Sequence, residues 1–309
     1  MADFKDESEK NSPFHQGERA LQTRMGVREQ MERFGRRVIR NFMPEQHRQF
    51  YRQLPYVFIG HGDKDGWPWA SILFNKPGFI NSPDEKTLII NTRGVEGDPL
   101  QQAIKTGIRL GLLGIELNTR RRNRLAAHIS RTSEQGFTLA VDQAFGNCPK
   151  YIKPRELRGM PARDMPPVLV NDFTSFDDQA KALIEKSDTF FVASFIENSR
   201  DQASEGADVS HRGGNPGFVR IDDNLSLTIP DYAGNFHFNT LGNFVKNPKA
   251  GLLFVDFENG HLLTLTGRVE LLLDSPQVEA FTGAGRLWTF NLHLGYWLKN
   301  AMALRWQES

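Results

Sequence analysis

The chain has 309 residues, with 38 lysines and arginines against 37 aspartates and glutamates, a formal net charge of +1. That balance gives no bulk attraction for a nucleic acid. Its 39% hydrophobic and 24% charged residues describe a globular chain with apolar matter for two ordinary domains or one large one, and its one cysteine, Cys148, excludes an intrachain disulfide and a cysteine-built zinc site.

Residues 1–16 are polar, lack the apolar core of a signal peptide and read as a mobile tail. In GERALQTRMGVREQMERFGRRVIRNF, Leu21, Met25, Met31, Phe34, Val38 and Phe42 recur at roughly helical spacing and predict one amphipathic helix ending at Phe42. Seven arginines lie between Arg19 and Arg40, a pattern that also suits a membrane or nucleic-acid surface; the interleaved Glu29 and Glu32 favour docking on the protein's own domain. Pro44 ends this helix and can open a short second one. From Pro55 onward, apolar runs alternate with turn residues: YVFIG, WASILF, TLIINT, LGLLGIEL, LAAHIS and FTLAVDQAF. After the proline-rich link KPRELRGMPARDMPPVLV the texture returns with TFFVASFI, GFVRI, SLTIP, AGLLFVDF, HLLTLTGRVELLL and RLWTFNLHLGYW. Strand after strand with turn punctuation predicts an antiparallel barrel or sandwich. No run approaches the roughly 18 apolar residues of a membrane span.

The two halves correspond. Pro77 and Pro216 stand 139 residues apart, each six residues after a serine, Ser71 or Ser210. Gly111-Leu-Leu-Gly-Ile-Glu answers Gly251-Leu-Leu-Phe-Val-Asp at an offset of 140. One β-domain has therefore been duplicated, with a helix-like stretch before each copy, PEQHRQFYRQL and FDDQAKALIEK. The expected units are 1–43, a tail plus helix; 44–157, the first copy; and 158–309, the second.

Chemistry concentrates in the second copy. A loop bearing Gly234, Asn235, Asn239, Thr240, Gly242 and Asn243 leads into a short predicted helix. Amides and a hydroxyl at a helix start can hold an anion through backbone N–H groups and the helix dipole, or can simply cap the helix. In the preceding hairpin, Ser210-His211-Arg212-Gly213-Gly214 is either a solvated tip or places Arg212 beside that anion, where a guanidinium suits a phosphate. The first copy has Ile72, Leu73 and Phe74 after its serine, and NTRGVEGDPLQQ as its loop, so the copies diverged where the anion would sit. Arg120 and Arg121 in NTRRRNR read as a solvated turn without the aromatic platforms of a nucleic-acid site. Cys148 is either a reactive thiol or a small apolar residue. His211, His237, His261 and His293 lack metal-ligand spacing with carboxylates, and no metal is expected.

DVSHRGGNPGFVRI, LTIPDYAGNFHFNTLGNFVKNPKAGLLFVDF and LLTLTGRVELL resemble successive segments of the FMN-binding split-barrel family, the pyridoxamine 5'-phosphate oxidase-like group. FGNCPKYIKPREL is similar to a Cys-Pro-Lys motif found late in the domain of relatives. The resemblance covers most of the second copy and, more faintly, the first. It implies a mainly β fold with flanking helices, two tandem split β-barrels, and FMN bound at a dimer interface. By the same resemblance Ser210 and Arg212 approach the flavin, and Asn235, Asn239, Thr240 and Asn243 surround its phosphate. Two positions often basic in relatives are Phe236 and Thr264 here; Arg124 holds the place of Thr264 in the first copy. If the copies pair as a pseudo-dimer, Arg124 and Lys150 reach a flavin held by the second.

The expected function is that of an FMN-dependent oxidoreductase, moving hydride or electrons to a small molecule with NADH or NADPH as a candidate donor. No catalytic acid or base stands out. The alternatives are a flavin carrier or sensor, and a duplicated barrel that lost flavin and serves in assembly. A cytoplasmic setting, a possible homodimer and no nucleic-acid or membrane partner complete the expectation.

Overall fold

The computed structural model describes residues 12–146, 148–158, 166–196 and 203–308. Each copy begins with a helix. The N-terminal segment forms α1 (Gln16–Arg24) and α2 (Arg28–Val38), and α3 (Glu45–Gln53) leads into the first copy. There β1 (Tyr56–Gly62), β2 (Pro68–Phe74), β3 (Ile80–Asn81), β4 (Thr87–Ile90), helix α4 (Leu100–Ala103), β5 (Arg109–Glu116), β6 (Arg121–Thr132) and β7 (Phe137–Gly146) follow in order. Two short strands, β8 (Arg155–Arg158) and β9 (Leu169–Phe173), bridge to α5 (Asp178–Lys186). The second copy then repeats the sequence of elements: β10 (Thr189–Ile196), β11 (Gly206–Gly213), β12 (Arg220–Ile221), β13 (Ser226–Tyr232), α6 (Asn239–Lys246), β14 (Lys249–Val255), β15 (Leu262–Leu272) and β16 (Ala284–Lys299), with β17 (Arg305–Glu308) at the end.

The first sheet runs β2-β1-β5-β6-β7-β4-β3 and the second β11-β10-β14-β15-β16-β13-β12, the same order strand for strand. Each is a split barrel filled from within. Val57, Ile59, Leu73, Leu112 and Leu125 pack with Phe50 and Leu54 of α3 in one. Val192, Leu252, Leu265, Trp288 and Phe290 pack with Leu183 of α5 and Phe244 of α6 in the other. A third apolar layer, including Phe58, Ile72, Leu113, Phe191, Val209, Leu253 and Leu262, lies between the barrels. This layer explains why YVFIG and TFFVASFI read as continuous apolar runs: their strands are buried on both faces.

A pseudo-twofold axis relates the copies. Phe58 pairs in register with Leu113 as Phe191 does with Leu253, and the two phenylalanines stack with ring centroids 3.4 Å apart. Gly111 lies against Asp208, and its counterpart Gly251 against Trp69; a Cβ on either would come within 2.6 Å of the opposing Cα. Only glycine permits that approach of the two sheets.

Some expectations change. The single helix to Phe42 is two, because Gly26 takes φ +70° and reverses the chain between them. Residues 12–16 are not a tail: Phe14 and His15 are buried, and the His15 side chain caps α1; residues 1–11 lie outside the described residues. GFVRI contributes only Arg220–Ile221 as strand. The polar run Ser210–Gly213 is no loop tip but the end of β11, paired along Val192–Thr189 of β10. The division at 157/158 falls inside β8, which pairs with β17.

Candidate functional site

A cleft lies where the second copy's loop meets the first copy's sheet. On β11, side chains alternate, and Asp208, Ser210 and Arg212 share one face. Across from them β6 of the first barrel presents Arg122 and Arg124, two residues apart and hence on one side of their strand. The segment Cys148–Tyr151, the end of β13 at Asp231 and Tyr232, the loop Gly234–Phe238, the start of α6 and Arg286 of β16 complete the wall. Thus Ser210, Arg212, Asn235, Asn239, Thr240, Arg124 and Lys150 line one cleft, with Cys148 beside them. Asn243 does not line it. One turn further along α6, its amide donates to Ser194 Oγ at 2.9 Å, tying the helix to β10.

The loop is shaped to deliver the helix start. Phe236 and Phe238 take positive φ of 58° and 62°, and Asn235 Oδ1 accepts the His237 N–H at 3.1 Å. Phe238 is the N-cap and offers no side-chain hydrogen bond, so Asn239 and Thr240 do not act as caps. Asn239 Oδ1 instead accepts from Arg124 Nη1 at 3.0 Å, and Thr240 Oγ1 donates to Ser210 Oγ at 3.0 Å. The uncapped first turn leaves backbone donors and the positive end of the helix dipole toward the cleft.

Charge on this wall is lopsided. Arg122, Arg124, Lys150, Arg212 and Arg286 gather there. Asp231 accepts from Arg212 and lies 3.5 Å from Arg286, and Asp208 pairs with Arg124. The Nε atoms of Arg122, Arg124 and Arg212 are buried without a hydrogen-bond partner among the described residues. Burial pushes Arg124 down to about 9, with repulsion from Arg122 and Arg212 adding to it, and burial pushes Arg122 down to about 10. Both remain cations at neutral pH. Buried donors without acceptors, on groups that repel one another, fit an anionic ligand. Tyr151 stacks with Tyr232 at 5.3 Å between centroids on the rim.

The N-terminal helix supports this site from behind, which the sequence did not reveal. Gly17 of α1 abuts Gly242 of α6, bringing the two helices into backbone contact. Glu18, 2% exposed, accepts from Asn239 Nδ2 and, at 2.8 Å, from the His15 N–H. Burial pushes its carboxyl up to about 8 from 4.5. An acid raised in the folded state favours folding at low pH, and that contribution is lost as pH rises from 4.5 through 8. His15, pushed down to about 4 by burial, acts in the opposite sense and only below 6.5. Between pH 6.5 and 8 Glu18 acts without that opposition, so the melting temperature is expected to fall across this interval. Glu18→Gln should flatten the fall; a wild-type curve already flat there would refute the assignment.

Among the described residues, the equivalent positions in the other half carry different chemistry. By strand register Leu262, Thr264, Ile72 and Leu73 stand where Arg122, Arg124, His211 and Arg212 stand. Ile72 and Leu262 join Val95, Met302, Leu304 and Trp306 in the apolar layer. Ser71, the equivalent of Ser210, donates to Asp98 Oδ1 at 2.6 Å in a closed buried pair, with burial pushing Asp98 up to about 6.

Residues 176–289 match the family model of pyridoxamine 5'-phosphate oxidase. No curated protein matches the sequence significantly. Among solved structures, a protein of Clostridium acetobutylicum related to general stress protein 26, of the pyridoxinephosphate oxidase family, is 16% identical, with 42% of this chain and 92% of that one covered and a TM-score of 0.28. A FAD-binding protein of Mesorhizobium loti is 10% identical over 42% of this chain and 98% of that one, TM-score 0.29. The heme storage protein HutZ of Vibrio cholerae is 12% identical over 39% and 92%, TM-score 0.28.

Proposed function

With the second barrel matching the pyridoxamine 5'-phosphate oxidase family over residues 176–289, we propose that the cleft binds one FMN per chain and that the protein is an oxidoreductase acting on a small molecule. The observation that carries this reading is the set of buried, unpartnered guanidinium N–H groups of Arg122, Arg124 and Arg212, which share one cleft with the uncapped start of α6. That donor set fits a phosphate dianion: Arg124, Asn239, Thr240 and the first backbone N–H groups of α6 would hold it, with Lys150 and Arg212 adding charge. When bound, the flavin supplies hydride or electron transfer. The protein orients it and screens it from water with Tyr151, Tyr232 and Phe236 at the rim.

Because the counterpart positions are apolar or neutral, the first barrel acts as scaffold and as donor of Arg122 and Arg124. The single cysteine suits a reducing, cytoplasmic setting. Anaerobic mixing of the FMN-loaded chain with NADH or NADPH tests the catalytic part. Bleaching of the visible flavin band, reversed by a small acceptor, is the expected result. A band bleached by neither nicotinamide donor and, after chemical reduction, not restored by a small acceptor would leave a carrier, not an enzyme.

A further inference from the structure

His211 belongs to a row of β11 that faces the apolar layer, after Ala207 and Val209. Its counterpart in the first barrel is Ile72. The imidazole is 6% exposed and, among the described residues, its ring nitrogens have no hydrogen-bond partner beyond a contact with its own backbone, yet it forms part of the cleft wall. Phe191 meets it edge-on at 5.7 Å. It packs so closely on Gly213 that a Cβ there would lie 2.9 Å from its Cε1. The charged groups whose fields act on it are Arg122 of β6, Arg155 of β8 and, from the other face of β11, Arg212, all cations. Burial, reinforced by these three, holds His211 well below 6.5, so the ring is neutral.

A buried imidazole with no partner beyond its own backbone destabilises the ligand-free protein where isoleucine would not. A neutral ring offers one donor and one acceptor. The surrounding arginines answer an anion; they leave the imidazole to a neutral, hydrogen-bonding part of the ligand. We infer that His211 is a binding residue for the uncharged heteroaromatic portion of the ligand, matching a ring edge that carries both a hydrogen-bond donor and an acceptor. This inference rests on the FMN reading of the cleft and assigns the ring, as distinct from the phosphate, to His211.

The test compares FMN with riboflavin, which has the ring and no phosphate, by fluorescence titration of the full chain. His211→Ile copies the first barrel and should melt, without ligand, at or above the wild-type temperature. It is expected to lose about 5–10-fold in affinity for both flavins, the worth of one neutral hydrogen bond. His211→Gln, which keeps a donor and an acceptor, should restore most of that affinity. Unchanged affinity of His211→Ile for both flavins overturns the inference, as does a loss confined to FMN, which would put His211 at the phosphate. A wild-type chain that binds neither flavin overturns the FMN reading itself, and this inference with it.

Discussion

Replacing Arg124 with threonine is expected to weaken FMN binding about 100-fold while leaving riboflavin binding within a few-fold. Threonine is the residue that the second barrel carries at the same register position, Thr264, so the strand tolerates it. Arg124 is 4% exposed, bonds Asn239 and pairs with Asp208, with its Nε still unpartnered. Truncating one partner of a buried charge pair costs about 2–5 kcal/mol, and the 100-fold given, about 2.8 kcal/mol, lies in the lower half of that range. Part of the cost comes from Asp208, which then faces the ligand phosphate without its cation. Arg124→Lys keeps the charge and loses the planar fork, so an intermediate loss is expected. Equal losses for FMN and riboflavin would show that Arg124 supports the cleft generally and does not meet the phosphate.

Phe191→Ala is expected to give the largest loss of stability. The side chain is fully buried, stacked on Phe58 at the axis relating the barrels and packed in the layer between them. Truncating a buried phenylalanine costs about 3–5 kcal/mol. Because the layer joins both barrels, the variant should melt in one transition well below wild type. Phe58→Ala should behave alike, and the double variant should lose less than the two losses added, since the stack is broken by either change. A melting temperature within 1–2 °C of wild type, on the scale of about 2–4 °C per kcal/mol, would contradict the role given to this contact. FMN affinity should fall as well, because the cleft takes its walls from both barrels.

Much of the fold was legible because duplication writes the same spacing twice. Pro77 and Pro216, and Gly111 and Gly251, mark equivalent points, and the sheets repeat one strand order. The period-2 pattern failed where strands are buried on both faces, as in β1 and β10. It also failed at Ser210–Gly213, where a polar run looks like a turn but faces a cleft inside β11.

The lining of the cleft was legible where residues cluster in sequence, as at Asn235, Asn239 and Thr240. Asn243 shared that signal and shares a helix face with Asn239, but it sits one turn further along, where its amide meets Ser194 of β10 and not the cleft. Arg122 had a usable signal: it is two residues from Arg124, on the same face of a strand. Glu18 had none, since its contact with Asn239 joins residues 221 apart in the chain. The burial of His211 with no partner beyond its own backbone exists only in the folded packing.

Titration of the wild-type chain with FMN, read as quenching of flavin fluorescence, bears most directly on the cleft. Saturation at one FMN per chain is expected, with riboflavin bound at least about 10-fold more weakly for want of the charge-assisted phosphate contacts. No saturable binding, or two equivalent sites per chain, would contradict the assignment of a single phosphate-binding cleft between unequal barrels.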